Sequence, residues 1–107
     1  MKGETALQKA IVDFLRAKGH EVLRLNSGTL RVKRGYLHCA KKGTPDILCL
    51  VDGRAIFFEV KMPGKKITKA QSARHREIEG SGSRVFIVSS VVHARNALEE
   101  WLGYLVV

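Results

Sequence analysis

Two apolar runs meet at Asp52-Gly53. The first is Ile47-Leu48-Cys49-Leu50-Val51 and the second is Arg54-Ala55-Ile56-Phe57-Phe58-Glu59-Val60. Asp-Gly between such runs is the strongest short-range hairpin signal a sequence carries. Folding the chain there pairs Val51 with Arg54, Leu50 with Ala55 and, further out, Asp46 with Glu59. Directly opposite side chains on one face of an antiparallel pair have Cβ atoms about 4.5–5.5 Å apart. Pro45 cannot donate to a ladder, so the pairing should end where those carboxylates sit. Strand alternation puts Glu59 and Lys61 on one face and turns Val60 the other way. Two carboxylates that close repel each other unless a cation lies between them, and a divalent metal is the obvious candidate.

The 107 residues fit a single domain spanning 1–107, and the 45% apolar content is that of a globular protein. No run is long enough to cross a membrane, and the N-terminus lacks the apolar stretch of a signal peptide. Cys39 and Cys49 are the only two cysteines, too few for a disulfide framework, and no Cys or His pair has zinc-ligand spacing. Cys49 alternates with Ile47 and Val51 and reads as a buried small hydrophobe. These features predict a reduced, cytoplasmic protein.

The net charge of +9 is unevenly distributed. No acidic residue lies between Glu21 and Asp46, where Arg24, Arg31, Lys33, Arg34, Lys41 and Lys42 fall. None lies between Glu59 and Glu77, where Lys61, Lys65, Lys66, Lys69, Arg74 and Arg76 fall. Both basic tracts flank the carboxylate pair. A footprint of this kind suggests a polyanion, most simply nucleic acid, against the plainer reading of a solvated surface.

Residues 3–19 read as a helix, with Leu7, Ala10, Ile11, Phe14 and Leu15 as its apolar stripe and Gly19 as its stop. His20 to Leu25 is a strand candidate. Residues 29–39 read as a basic hairpin with Arg34-Gly35 at its turn, or as a loop. Thr68 starts a second helix in a capping box with Gln71, and Gly80 ends it. Arg84 to Ser89 is a strand, Ser90 caps a third helix, and Tyr104 to Val107 is an edge-strand candidate. Because both faces of the central hairpin are mainly apolar, layers are expected on both sides of it. The element order predicts an α/β fold, one mixed sheet flanked by helices.

Oxygen ligands alone suit a hard cation such as Mg²⁺. Such an ion can activate a bound water and neutralise charge at a phosphodiester. Lys61 beside it could orient the attacking water or stabilise the phosphate, or could simply pair with Glu59 or Asp46.

Pro45-Asp46 followed thirteen positions later by Glu59-Val60-Lys61 resembles the PD-(D/E)XK nuclease signature. Gly43-Thr44, the segment Arg24-Leu25-Asn26-Ser27-Gly28 and Glu4 narrow the likeness to a stand-alone VRR-NUC domain. Archaeal Holliday-junction resolvases are similar in layout, with a helix-one glutamate and a serine near the position of Ser27. The resemblance implies a restriction-endonuclease-like fold and dependence on Mg²⁺ or Mn²⁺. It implies metal ligation by Asp46, Glu59 and the Val60 carbonyl, with Glu4 an outer metal or water contact and Lys61 the catalytic lysine. Gln71 matches a glutamine that points back to the site in such nucleases, against its plain role as a helix cap. In some relatives a tyrosine follows four residues later, where this chain has His75. The implied substrate is DNA, branched as in a Holliday junction, contacted by Ser27 and the basic tracts. Two symmetric cuts at a junction imply a homodimer, with Leu98, Trp101, Leu102 and residues 104–107 or the basic hairpin as interface. The alternative is a non-catalytic, basic nucleic-acid-binding module on the same fold, which the intact Asp46, Glu59 and Lys61 argue against.

Overall fold

The computed structural model describes residues 2–25, 29–32, 35–38 and 41–103. Helix α1 (Lys2–Ala17) opens the chain, followed by β1 (Glu21–Arg24), β2 (Thr29–Val32) and β3 (Gly35–His38). Then come β4 (Ile47–Val51), β5 (Arg54–Val60), α2 (Lys69–Gly80), β6 (Arg84–Val88) and α3 (Val91–Leu102). A four-stranded mixed sheet runs in the order β1-β4-β5-β6, with β5 and β6 parallel and the other pairs antiparallel. Strands β2 and β3 form a separate two-stranded sheet, which decides the basic segment for a hairpin. The expected edge strand at 104–107 lies outside the described residues.

The central turn forms as its sequence demands. Asp52 and Gly53 both have positive φ, +50° and +76°, and Val51 pairs with Arg54. Both values fit a type I′ turn, whose twist matches that of the flanking strands. The register then runs without a slip to Ile47 opposite Phe58.

One face of the sheet carries the core. Val22, Ile47, Cys49, Val51, Ile56, Phe58, Val60, Phe86 and Val88 are buried there with Ile11, Val12 and Leu15 of α1 and Ala94, Ala97 and Leu98 of α3. The Phe58 and Phe86 rings stack across neighbouring strands with centroids 6.0 Å apart. Burial pushes the Cys49 thiol up to about 11, so it stays an unreactive apolar side chain. In α1 the buried stripe is rotated slightly from expectation. Val12 is buried and Ala10 is exposed, because the sheet receives the helix on the Ile11–Val12 side. The Arg16 guanidinium donates to the Val22 carbonyl at 2.9 Å and ties this helix to β1.

The opposite face is covered less completely than expected. Helix α2 packs near β6, while Leu23, Leu50 and Ile87 on this face remain 45%, 40% and 43% exposed. Among the described residues, no helix is long and apolar enough to cross a membrane.

Candidate active site

The carboxylate pair sits where the β4–β5 ladder ends. One step beyond Ile47–Phe58 the register brings Asp46 opposite Glu59. Pro45 ends the strand there, and the Asp46 side chain takes over from the ladder. Its Oδ2 accepts a hydrogen bond from the Val60 N–H at 2.7 Å, while its carbonyl accepts from the Leu25 N–H at 2.7 Å. Asp46 is thereby fixed between β1 and β5. Glu59 is 1% exposed, a buried carboxyl on the face that α2 covers.

Helix α2 reaches Glu59 with two side chains one turn apart. The Gln71 amide nitrogen lies 3.5 Å from Glu59 Oε2 and His75 Nε2 lies 3.0 Å from Oε1. Gln71 is a helix cap whose amide nitrogen also lies near Glu59. Its Oε1 accepts from the Thr68 N–H at 2.8 Å while the Thr68 hydroxyl accepts from its N–H at 3.1 Å, a complete capping box. The cap fixes the side chain so that its amide nitrogen faces the site.

Burial, a hydrogen bond donated to Asp46 and the charges of Asp46 and Glu4 push the Glu59 carboxyl up to about 9, against the opposing pull of Lys61. Burial likewise holds the His75 imidazole below its ordinary range. The His75–Glu59 contact is therefore a neutral hydrogen bond in the protein without metal, although its geometry is that of an ion pair.

Lys61 follows on the same face. Its N–H donates to the Val88 carbonyl at 2.9 Å, so β6 anchors its backbone. Its charge acts on the Glu59 carboxyl, pulling it down against the causes that raise it. The Gly43-Thr44-Pro45 approach to the site is equally constrained. Gly43 has φ +85°, and a Cβ there would run into the Ala70 backbone at the start of α2. The Thr44 hydroxyl donates to the Lys41 carbonyl and accepts from Arg74 Nε at 3.3 Å.

The structure thus brings together Asp46, Glu59, Val60, Lys61 and Gln71, with Glu4 of α1 close enough for its charge to act on Glu59. Among the described residues no group of three or more His, Cys, Asp and Glu side chains forms a ready metal cage. A metal would be held by the two carboxylates, the Val60 carbonyl and water, and that sparse oxygen set fits Mg²⁺. The residues also fit on electrostatic grounds, since a dication would offset the burial and the neighbouring Asp46 and Glu4 charges that push the Glu59 carboxyl up.

The residues expected to contact DNA have varied surroundings. Arg24 lies toward α1, donating to Gln8 Oε1 at 3.0 Å. Lys41 and Arg74 converge on Glu77 at 3.2 and 3.4 Å. Lys42, Lys65, Lys66 and Lys69 are exposed. Arg31 falls on β2, and Ser27, Lys33 and Arg34 lie outside the described residues. Leu98 is buried in the protomer's own core, with Trp101 and Leu102 packed against it. Leu98 is therefore not open to an interface, whereas Trp101 and Leu102 are half-buried and residues 104–107 lie outside the described residues.

One solved structure described as a VRR_NUC domain matches 92% of this chain and 97% of its own, at 26% identity and a TM-score of 0.70. The chain has a VRR-NUC fold. No family model matches the sequence, and no curated protein does. A VRR-NUC fold is that of a nuclease family.

Proposed function

We propose that this protein is a divalent-metal-dependent endodeoxyribonuclease that selects branched DNA by shape. The observation that carries the reading is Asp46 opposite Glu59 at the end of a β-ladder, with Lys61 on the same face, in a VRR-NUC fold. A bound Mg²⁺ would supply Lewis-acid polarisation of the phosphodiester and an acidified water. The protein's own groups do the rest. Asp46 and Glu59 hold the negative field in place. The Lys61 ammonium, anchored through its backbone to β6, orients the attacking water or meets the charge that builds on the phosphate. The Gln71 amide nitrogen lies beside Glu59 Oε2 at 3.5 Å.

The exposed lysines and arginines supply affinity without reading bases, since phosphate contacts position DNA and carry no sequence information. With roughly five to eight phosphate contacts, the slope of log affinity against log salt should be about −5 to −7. The same measurement on junction, flap, nicked and linear DNA of one base composition, followed by addition of Mg²⁺, tests the reading. Branched DNA should be cut in Mg²⁺ and left intact in chelator. A salt slope near zero, or equal cutting of linear duplex, contradicts it.

Junction resolution needs two sites, so the reading includes a homodimer. The buried Leu98 takes no part in its interface. The exposed Leu23 and Leu50 of the open sheet face are available for it. Sedimentation at micromolar concentration should give twice the 11.9 kDa chain mass. A monomer that resolves junctions with paired cuts rules the dimer out.

A further inference from the structure

The buried His75 is left unexplained by a carboxylate, lysine and glutamine centre. It stands on α2 four residues after Gln71, so the two side chains rise from the same helix face. Each takes one oxygen of Glu59. His75 Nε2 holds Oε1 at 3.0 Å inside the protein, with both side chains nearly inaccessible, whereas Gln71 reaches Oε2 only at 3.5 Å and is itself half-buried. The tight contact is on Oε1 and the loose one is on Oε2. A carboxylate held this way cannot rotate about its last bond without breaking the shorter contact. Groups that orient a ligand carboxylate from behind are a regular part of metal sites.

We infer that His75 is a positioning residue for the cation site: it fixes Glu59 Oε1 and so presents Oε2 as the oxygen offered to the divalent metal. This rests on the metal-dependent reading above. A histidine that only fills the space between α2 and the sheet would need no hydrogen bond to Glu59. The imidazole reaches that oxygen through its far nitrogen, so length matters. A glutamine places its amide nitrogen near the position of Nε2, whereas an asparagine places its own near Nδ1 and falls short.

The test measures Mn²⁺ binding to the full chain by electron paramagnetic resonance without DNA, then kcat and KM on branched DNA. His75→Leu keeps the volume and loses the donor. It is expected to weaken Mn²⁺ binding by about 10- to 100-fold. Cleavage at fixed Mg²⁺ should fall in kcat with KM for DNA unchanged. His75→Gln should restore Mn²⁺ affinity to near the parent value and His75→Asn should not. If His75→Leu fails to fold, the Gln and Asn variants carry the comparison alone. Equal Mn²⁺ affinity in those two, or parent affinity in a folded His75→Leu, overturns the assignment. Asp46→Asn separates the layers. Loss of Mn²⁺ binding there with parent affinity in His75→Leu overturns only the role of His75. Retained binding in Asp46→Asn overturns the metal reading and the assignment with it.

Discussion

Asp46→Asn is expected to cut the cleavage rate by about 10³-fold or more, since a metal supplies several kcal/mol of transition-state stabilisation and each 1.36 kcal/mol is tenfold. The substitution is mild toward the fold. An asparagine oxygen can still accept from the Val60 N–H, which Asp46 Oδ2 accepts at 2.7 Å, so the end of the ladder survives. DNA affinity should change little, because it comes from exposed lysines and arginines away from the pair. Single-turnover cleavage and filter binding on one branched substrate measure both. Parent-like cleavage in metal-replete buffer would remove Asp46 from the site.

Glu59→Gln is expected to separate activity from stability in the opposite direction. In chelator, the folded Glu59 carboxyl titrates at about 9 against an ordinary value of 4.5. A carboxyl whose folded pKa is raised contributes stability that is fully present below 4.5 and is lost as pH rises through 9. The metal-free protein should therefore weaken steadily across that window. At pH 8 keeping the proton on that carboxyl costs several kcal/mol, an amount the glutamine does not incur. Glu59→Gln should melt higher than the parent at pH 8, show a flatter pH dependence and cleave nothing. Thermal unfolding from pH 4.5 to 9 in chelator checks it. A parent protein equally stable at both ends, or a less stable Glu59→Gln at pH 8, would show that Glu59 is charged and satisfied in the fold.

The hairpin, its register and the carboxylate pair were legible in the sequence because each depends on local rules. A two-residue turn and a period of two fix which side chains meet. The caps at Thr68 and Ser90 were legible for the same reason. What the chain hides is tertiary. Whether Ala10 or Val12 faces the sheet depends on a helix rotation that an apolar stripe leaves loose. That α2 covers only one end of the second face, leaving Leu23 and Leu50 exposed, follows from where the chain crosses and not from strand composition. Gly43 looked like part of a motif, and only its approach to Ala70 shows why a side chain is excluded. His75 stood as a departure from a tyrosine. The four-residue spacing from Gln71 was the available signal that both face one target. The capping box of Gln71 was legible, and because a side-chain amide has two ends the cap leaves its nitrogen free to approach Glu59.

The account stands on one cation between Asp46 and Glu59. Crystals soaked in Mn²⁺ and measured for anomalous scattering test that most directly. The expected result is a peak within coordinating distance of both carboxylates and of the Val60 carbonyl, lost in Asp46→Asn crystals. A peak elsewhere, or none at a Mn²⁺ concentration that supports cleavage, would contradict it.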